Sequence, residues 1–226
     1  MSTKIIVSYD GTANENDAVA LGGLFARAGA QVSLAYVRHT NEAVSDQEAQ
    51  EVLDRGAALF AGTFASSHAI TDRSTPEGLR ALAEQIGADA VAFCSDSHTA
   101  HGHITIGNSA QRLLEGGPVA VAIAPAGLAT DGSRTGVQRV VAVGEAGDGS
   151  AQGTAQALAR ALGAQVVPVA DDQVDLLVIG SRAEAQQGRV SLSASAAHLI
   201  EIATSPVLVV PNGVSLQFTA PAAAVA

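Results

Sequence analysis

Chemically capable side chains crowd into one stretch of this chain. Cys94, Asp96, Ser97, His98, His101, His103, Gly107, Asn108 and Ser109 follow one another closely. Gly107, Asn108 and Ser109 open an expected helix at 108–115. The free N–H groups and the dipole of a helix start favour an anion, and glycine lets the backbone come close to one. Three imidazoles at i, i+3 and i+5 could in principle hold zinc. Asp96 is the only carboxylate fixed nearby, so the three histidines read as a solvated Gly/His-rich loop and no metal site is assigned. Cys94 stands at an expected strand end, where a thiol can have a lowered pKa. A lone cysteine is more often a buried, inert apolar residue. Lys4 is the only lysine, which argues against a P-loop. Serine and histidine spacing identifies no catalytic triad. Asp171-Asp172 reads as a turn rather than a metal pair.

Composition limits what these residues can serve. The chain has 226 residues, 47% apolar and 15% charged, with net charge −10. That much apolar surface can offset the ordering entropy that keeps polar chains disordered. Neither half is basic, so no nucleic-acid partner is expected. One cysteine excludes an intramolecular disulfide. The apolar run near the N-terminus is too short for a signal peptide, and no run approaches the roughly 20 residues that span a bilayer. The expectation is a cytoplasmic protein with no membrane partner.

The elements that position these residues occur in a repeating order. Lys4–Asp10 and Arg139–Glu145 are each a basic residue, a β-branched apolar run and a carboxylate, as in a strand buried on both faces. Ala/Leu-rich helices follow, over 14–29 and about 149–162, then strands at 31–37 and 165–169. The first half alone has room for a helix near 44–64, a strand near 68–72 and a helix near 75–86. Asp89–Cys94 is then matched by Asp175–Gly180. Each half closes with a polar loop, a helix (108–115 and 194–203) and a proline-bounded strand (118–125 and 206–211). Alternating strands and helices predict an α/β fold with parallel sheets. The division expected is a first domain at 1–127, a linker at 126–138, a second, shortened domain at 137–212 and a flexible tail at 213–226. Only Ala170–Val174 fills the place of the missing helices, too little for a parallel crossover, so a smaller second sheet is expected.

These parts resemble the universal stress protein family. The most specific stretch is Gly107-Asn-Ser-Ala-Gln-Arg-Leu-Leu-Glu-Gly-Gly-Pro-Val-Ala-Val-Ala-Ile-Ala-Pro125, which is similar to the family's last helix and strand. The resemblance implies a tandem member with two adenine nucleotide alpha hydrolase-like domains, the second truncated. The family's nucleotide loop is Gly, two residues, Gly, nine residues, Gly, then Ser or Thr. Here the first copy has Cys94, Ser97, Gly107 and Asn108 at those positions. The second has Gly180, Ala183, Ser193 and Ala194. Spacing is kept in both and the glycine pattern in neither. Asp96 stands where many relatives carry Arg, and its charge opposes a triphosphate. In the second copy Arg182 is kept there, and Glu145 replaces the first-strand Asp.

The resemblance therefore implies binding of ATP or AMP in the first copy. Asp10 would accept from base or ribose, Val37 would meet adenine through its backbone, and Ser97, Gly107, Asn108 and Ser109 would line the phosphates. The function implied is a stress-related nucleotide-binding sensor or regulator, not an enzyme, with slow ATP hydrolysis left open. The alternative is a protein of the same fold that binds no nucleotide and acts through protein partners. The final strands, 118–125 and 206–211, are expected to pair as a pseudo-dimer within the chain or in a homodimer.

Overall fold

The computed structural model describes residues 2–40, 44–60, 64, 66–131, 136–144, 147–168 and 173–220. The strands are β1 (Lys4–Ser8), β2 (Gln31–His39), β3 (Ser66–Asp72), β4 (Ala90–Cys94), β5 (Ala120–Ala124), β6 (Arg139–Val143), β7 (Gln165–Val167), β8 (Leu176–Gly180) and β9 (Val207–Val210). The helices are α1 (Asn16–Arg27), α2 (Asp46–Ala58), α3 (Thr75–Ile86), α4 (Asn108–Leu114), α5 (Ser150–Leu162) and α6 (Ala194–Ile202). Local chemistry sets several of these ends. Ser45 and Glu48 form a reciprocal capping box at the start of α2. Gly87 and Gly163 close α3 and α5 in the left-handed conformation.

All nine strands form one sheet, in the order β3-β2-β1-β4-β5-β9-β8-β6-β7. Neighbours are parallel except β5 and β9, which run antiparallel with Ala122 opposite Leu208. Strand side chains alternate between faces. Ile5 and Val7 join one apolar layer with α1, α2 and α5, while Ile6 joins the other with α3, α4 and α6. Each layer runs the width of the sheet. The first holds Val7 and Leu34 together with Val140 and Leu176, and the second holds Ile6 and Val91 together with Ile179 and Ile200.

This continuity corrects the expectation of two domains with a truncated second copy. The chain is one α/β domain on a single mixed sheet, because neither half has a core of its own. The repeating order of elements is an echo within that sheet. The expected dimer-like use of the final strands is corrected for the same reason. β5 lies between β4 and β9, and β9 between β5 and β8, so neither presents an edge to another chain. Their ladder joins strands of one domain. The short connection in the second half also finds its explanation. β7 pairs with β6 and β8 pairs with the other side of β6, so β7 and β8 are not neighbours. Ala170–Asp172 and Glu145 lie outside the described residues.

Two features hold the halves in register. Asp17 on α1 is buried, and its carboxylate accepts from the backbone N–H groups of Gly127 and Ala129, both at 2.7 Å. This fixes the start of the connection from β5 to β6. The segment after β9 was expected to be a flexible tail from 213. Through residue 220 it instead packs across the face that carries α1 and α5. Leu216 and Phe218 are buried, and Phe218 stacks on Phe25 with ring centroids 5.9 Å apart. Leu216 N–H donates to Thr154 Oγ1 at 2.9 Å, and Thr3 Oγ1 donates to the Gln217 carbonyl. Gly29 has φ +87°, and a Cβ there would stand 1.8 Å from the Thr219 carbonyl oxygen, so only glycine admits the segment.

No helix among the described residues is long and apolar enough to cross a membrane. Removal of the Phe218 ring leaves a cavity against Phe25. Phe218→Ala is therefore expected to destabilise the whole chain by about 3 kcal/mol, in one unfolding transition. Urea titration followed by circular dichroism checks this; an unchanged midpoint would show the segment to be dispensable.

Candidate functional site

After β1 the chain crosses through α1 to β2 on one side, while β4 lies on the other side of β1. Such a switch point leaves a crevice beyond the C-terminal strand ends, which is where open α/β sheets bind ligands. A cavity of about 340 Å³ sits there, walled by Ser8, Tyr9 and Asp10 after β1 and by Phe93 and Cys94 at the end of β4. All six residues singled out from the sequence line it: Asp10, Val37, Ser97, Gly107, Asn108 and Ser109. β2 supplies Val37 because it continues past its pairing with β1, which ends with Ser8 opposite Ala35. The side chains of Ser97, Asn108 and Ser109 are not bonded to any described residue. A Cβ at Gly107 would meet nothing within 4 Å, so the glycine leaves open volume at the crevice wall.

The crevice is acidic. Asp10, Glu15 and Asp96 line it, and among the described residues no Lys, Arg or His does. Asp10 Oδ1 accepts from Thr12 N–H at 2.9 Å, which ties its carboxylate to the turn after β1. Asp96 Oδ1 accepts from His98 N–H at 3.1 Å within its own loop. Gly11, with φ +87°, turns the chain between Asp10 and the helix start. Sequence reasoning missed Glu15, which caps the arrangement. Its side chain is 9% exposed, and Oε2 accepts from the backbone N–H groups of Asp10 and of Gly11, the latter at 3.2 Å. Burial pushes its carboxyl up to about 9, helped by its hydrogen bond to the Asp10 side chain and by the Asp10 charge. Glu15 is thus a neutral acid at pH 7, hydrogen-bonded to Asp10. The signal available in the sequence was its place, a carboxylate five residues after Asp10 at the mouth of α1.

Cys94 accepts from Asn14 Nδ2 at 3.2 Å, and the same amide donates to the Ser95 carbonyl at 3.3 Å. Burial, then the nearby Glu15 and Asp10, pushes the thiol up to about 12, so at neutral pH it is not a thiolate. Ser95 Oγ donates to the Ala124 carbonyl at 2.7 Å, tying the loop to the end of β5. His101 packs against Gly127, while the His103 carbonyl accepts from Ala126 N–H at 2.9 Å. No group of three or more His, Cys, Asp or Glu among the described residues is placed to hold a metal ion.

At the equivalent place in the second half, beyond β6 and β8, Asp148 ties two described segments together. Asp148 accepts from Ser150 N–H at 3.0 Å and from Gly213 N–H at 3.3 Å. A Cβ at Gly180 would stand 3.5 Å from Gly144, 3.6 Å from Ala151 and 3.7 Å from the Asp148 carboxylate, ordinary contact distances. Ser193 Oγ caps α6, accepting from Ala196 N–H at 3.2 Å. Arg182 lines a separate cavity beside Glu115 and Arg189.

The raised Glu15 carboxyl has a stability consequence. Above about pH 4.5 the unfolded chain loses this proton while the folded chain keeps it until about pH 9, so its contribution to stability falls throughout that window. Glu15→Gln keeps the acceptor oxygen and removes the titration. The melting temperature of the variant relative to the native chain is expected to climb steadily from pH 5 to pH 9; parallel profiles would overturn the assignment.

No family model and no curated protein matches the chain. Solved structures do. A universal stress protein from Archaeoglobus fulgidus DSM 4304 superposes with TM-score 0.70 at 15% identity, over 93% of this chain and 99% of that one. A functionally unknown protein from Pseudomonas aeruginosa PAO1 gives 0.66 at 14% identity, over 94% and 93%. A putative universal stress protein from Pseudomonas aeruginosa UCBPP-PA14 gives 0.65 at 14%, over 94% of each chain. The likeness is one of fold and runs through the whole nine-stranded sheet. It corrects the tandem reading: the chain has a single universal-stress-protein-like fold.

Proposed function

We propose that this chain is a binding module that takes an adenine nucleotide, ATP or AMP, in the crevice between β1 and β4, and acts as a ligand-responsive regulator in the stress response. One observation carries the reading: residues from four separate segments, around 10, 37, 97 and 107–109, converge on one cavity at the sheet's switch point. Asp10 is the acceptor for base or ribose. Val37 bounds the adenine side. Ser97, Asn108 and Ser109 offer uncommitted polar groups to the first phosphate, and Gly107 leaves room for it. The regulatory role is supported by the fold likeness.

The acidic lining favours a second reading, in which the crevice binds no nucleotide and the protein works through protein partners. Nucleotide released from the freshly purified chain by denaturation, followed by calorimetric titration of the stripped chain, separates the two. The first reading expects one ATP or AMP per chain and about tenfold or greater weakening in Asp10→Ala, the usual cost of a hydrogen bond to a charged group. No binding at millimolar nucleotide, or equal affinity in the variant, overturns it.

A further inference from the structure

A second, larger cavity of about 600 Å³ lies between α3 and α4, and it shares Asn108 and Ser109 with the wall of the crevice. The outer cavity carries what the crevice lacks. Arg80 of α3 and Arg112 of α4 both line it, and neither guanidinium is bonded or ion-paired to a described residue. Glu77 and Glu115 also line it. Glu115 is engaged by Gln111 Nε2 at 2.8 Å, and the two carboxylates leave the outer cavity without the net negative charge of the crevice.

Helix geometry makes a path between the two. Arg112 is four residues beyond Asn108 and three beyond Ser109, so the three share one face of α4, with a rise of about 6 Å from Asn108 to Arg112. On α3, Thr75 borders the crevice and Arg80 lies just over one turn further on. Both helices thus begin at the acidic crevice and carry a cation about one turn away from it.

We infer that the anionic tail of the bound ligand leaves the crevice over Asn108 and Ser109 and ends in the α3/α4 groove between Arg80 and Arg112, which makes the ligand class a nucleoside polyphosphate. The inference rests on the crevice reading above and deepens it. Asp10 and Asp96 repel negative charge held inside the crevice, and guanidinium groups are suited to bidentate contact with phosphate. The nucleoside part needs no arginine, whereas the outer phosphates do.

The test is calorimetric titration of adenosine and of ATP, without divalent cation, into the native chain, Arg80→Gln/Arg112→Gln and Arg80→Lys/Arg112→Lys. All three are first compared by melting temperature, which exposed substitutions should leave unchanged. The expected result is at least tenfold weaker ATP binding in the glutamine variant, unchanged adenosine binding, and partial recovery in the lysine variant. ATP binding that is the same in all three chains overturns the tail's path and leaves the crevice reading standing. Equal weakening of adenosine and ATP also overturns it, since the arginines would then act through the fold. A native chain that binds neither ligand overturns the crevice reading and this inference together.

Discussion

The ladder between β5 and β9 is the constraint on which the rest of the molecule depends. It is short, pairing Val121 with Val209, Ala122 with Leu208 and Ile123 with Val207. Every residue of both strands is buried. Because this one junction is antiparallel, the strands on either side of it run in opposite directions. The C-terminal ends of β1 and β4 therefore open on one end of the sheet, and those of β6 and β8 on the other. Joining the two parallel sets also makes each face continuous, so the apolar layers can extend beneath helices from both halves. An unpaired β5 would leave a flat apolar edge, which soluble proteins avoid.

Opposite directions give the two sets of strand ends different surroundings. At the far end, Asp148 accepts from Gly213 N–H in the turn after β9. From there the chain returns across the sheet to Phe25. At the near end the described residues leave an open cavity between β1 and β4. The turn that Asp148 holds thus begins the segment that packs on the α1 and α5 layer.

Charge decides the character of the open crevice. Three carboxyl groups meet there with no cation of their own. The arrangement is tolerable because Glu15 is held neutral by burial and by Asp10, while Asp10 and Asp96 are each tied to a local backbone N–H. A phosphate cradle of glycines would face no such charge. Here the compensating arginines stand outside, on the exposed flanks of α3 and α4. The lost loop glycines and the acidic lining are therefore one departure seen twice, and both agree with the proposal that the crevice takes the uncharged end of a ligand.

The sequence by itself determined what short-range chemistry can encode. β-branched runs such as Ile5-Ile6-Val7 set the strands and their two buried faces, and Gly87 and Gly163 set helix ends through their freedom at positive φ. The family resemblance carried by the loop spacing named Asp10, Ser97 and Gly107, and the three line one crevice. Tertiary structure decided everything that depends on which distant segments meet. Pairing of Ala120–Ala124 with Val207–Val210 within the chain was one of the expectations, but nothing local shows that this ladder fuses the apolar layers of both halves, so the single domain could not be read from the repeat. Polar, small residues from 212 onward look like a tail until Phe218 finds Phe25. Glu15 looks like any acidic residue at a helix start until β1, β4 and the loop beyond it exclude water. Pairing, burial and protonation are properties of neighbours far apart along the chain, and only the folded arrangement brings those neighbours together.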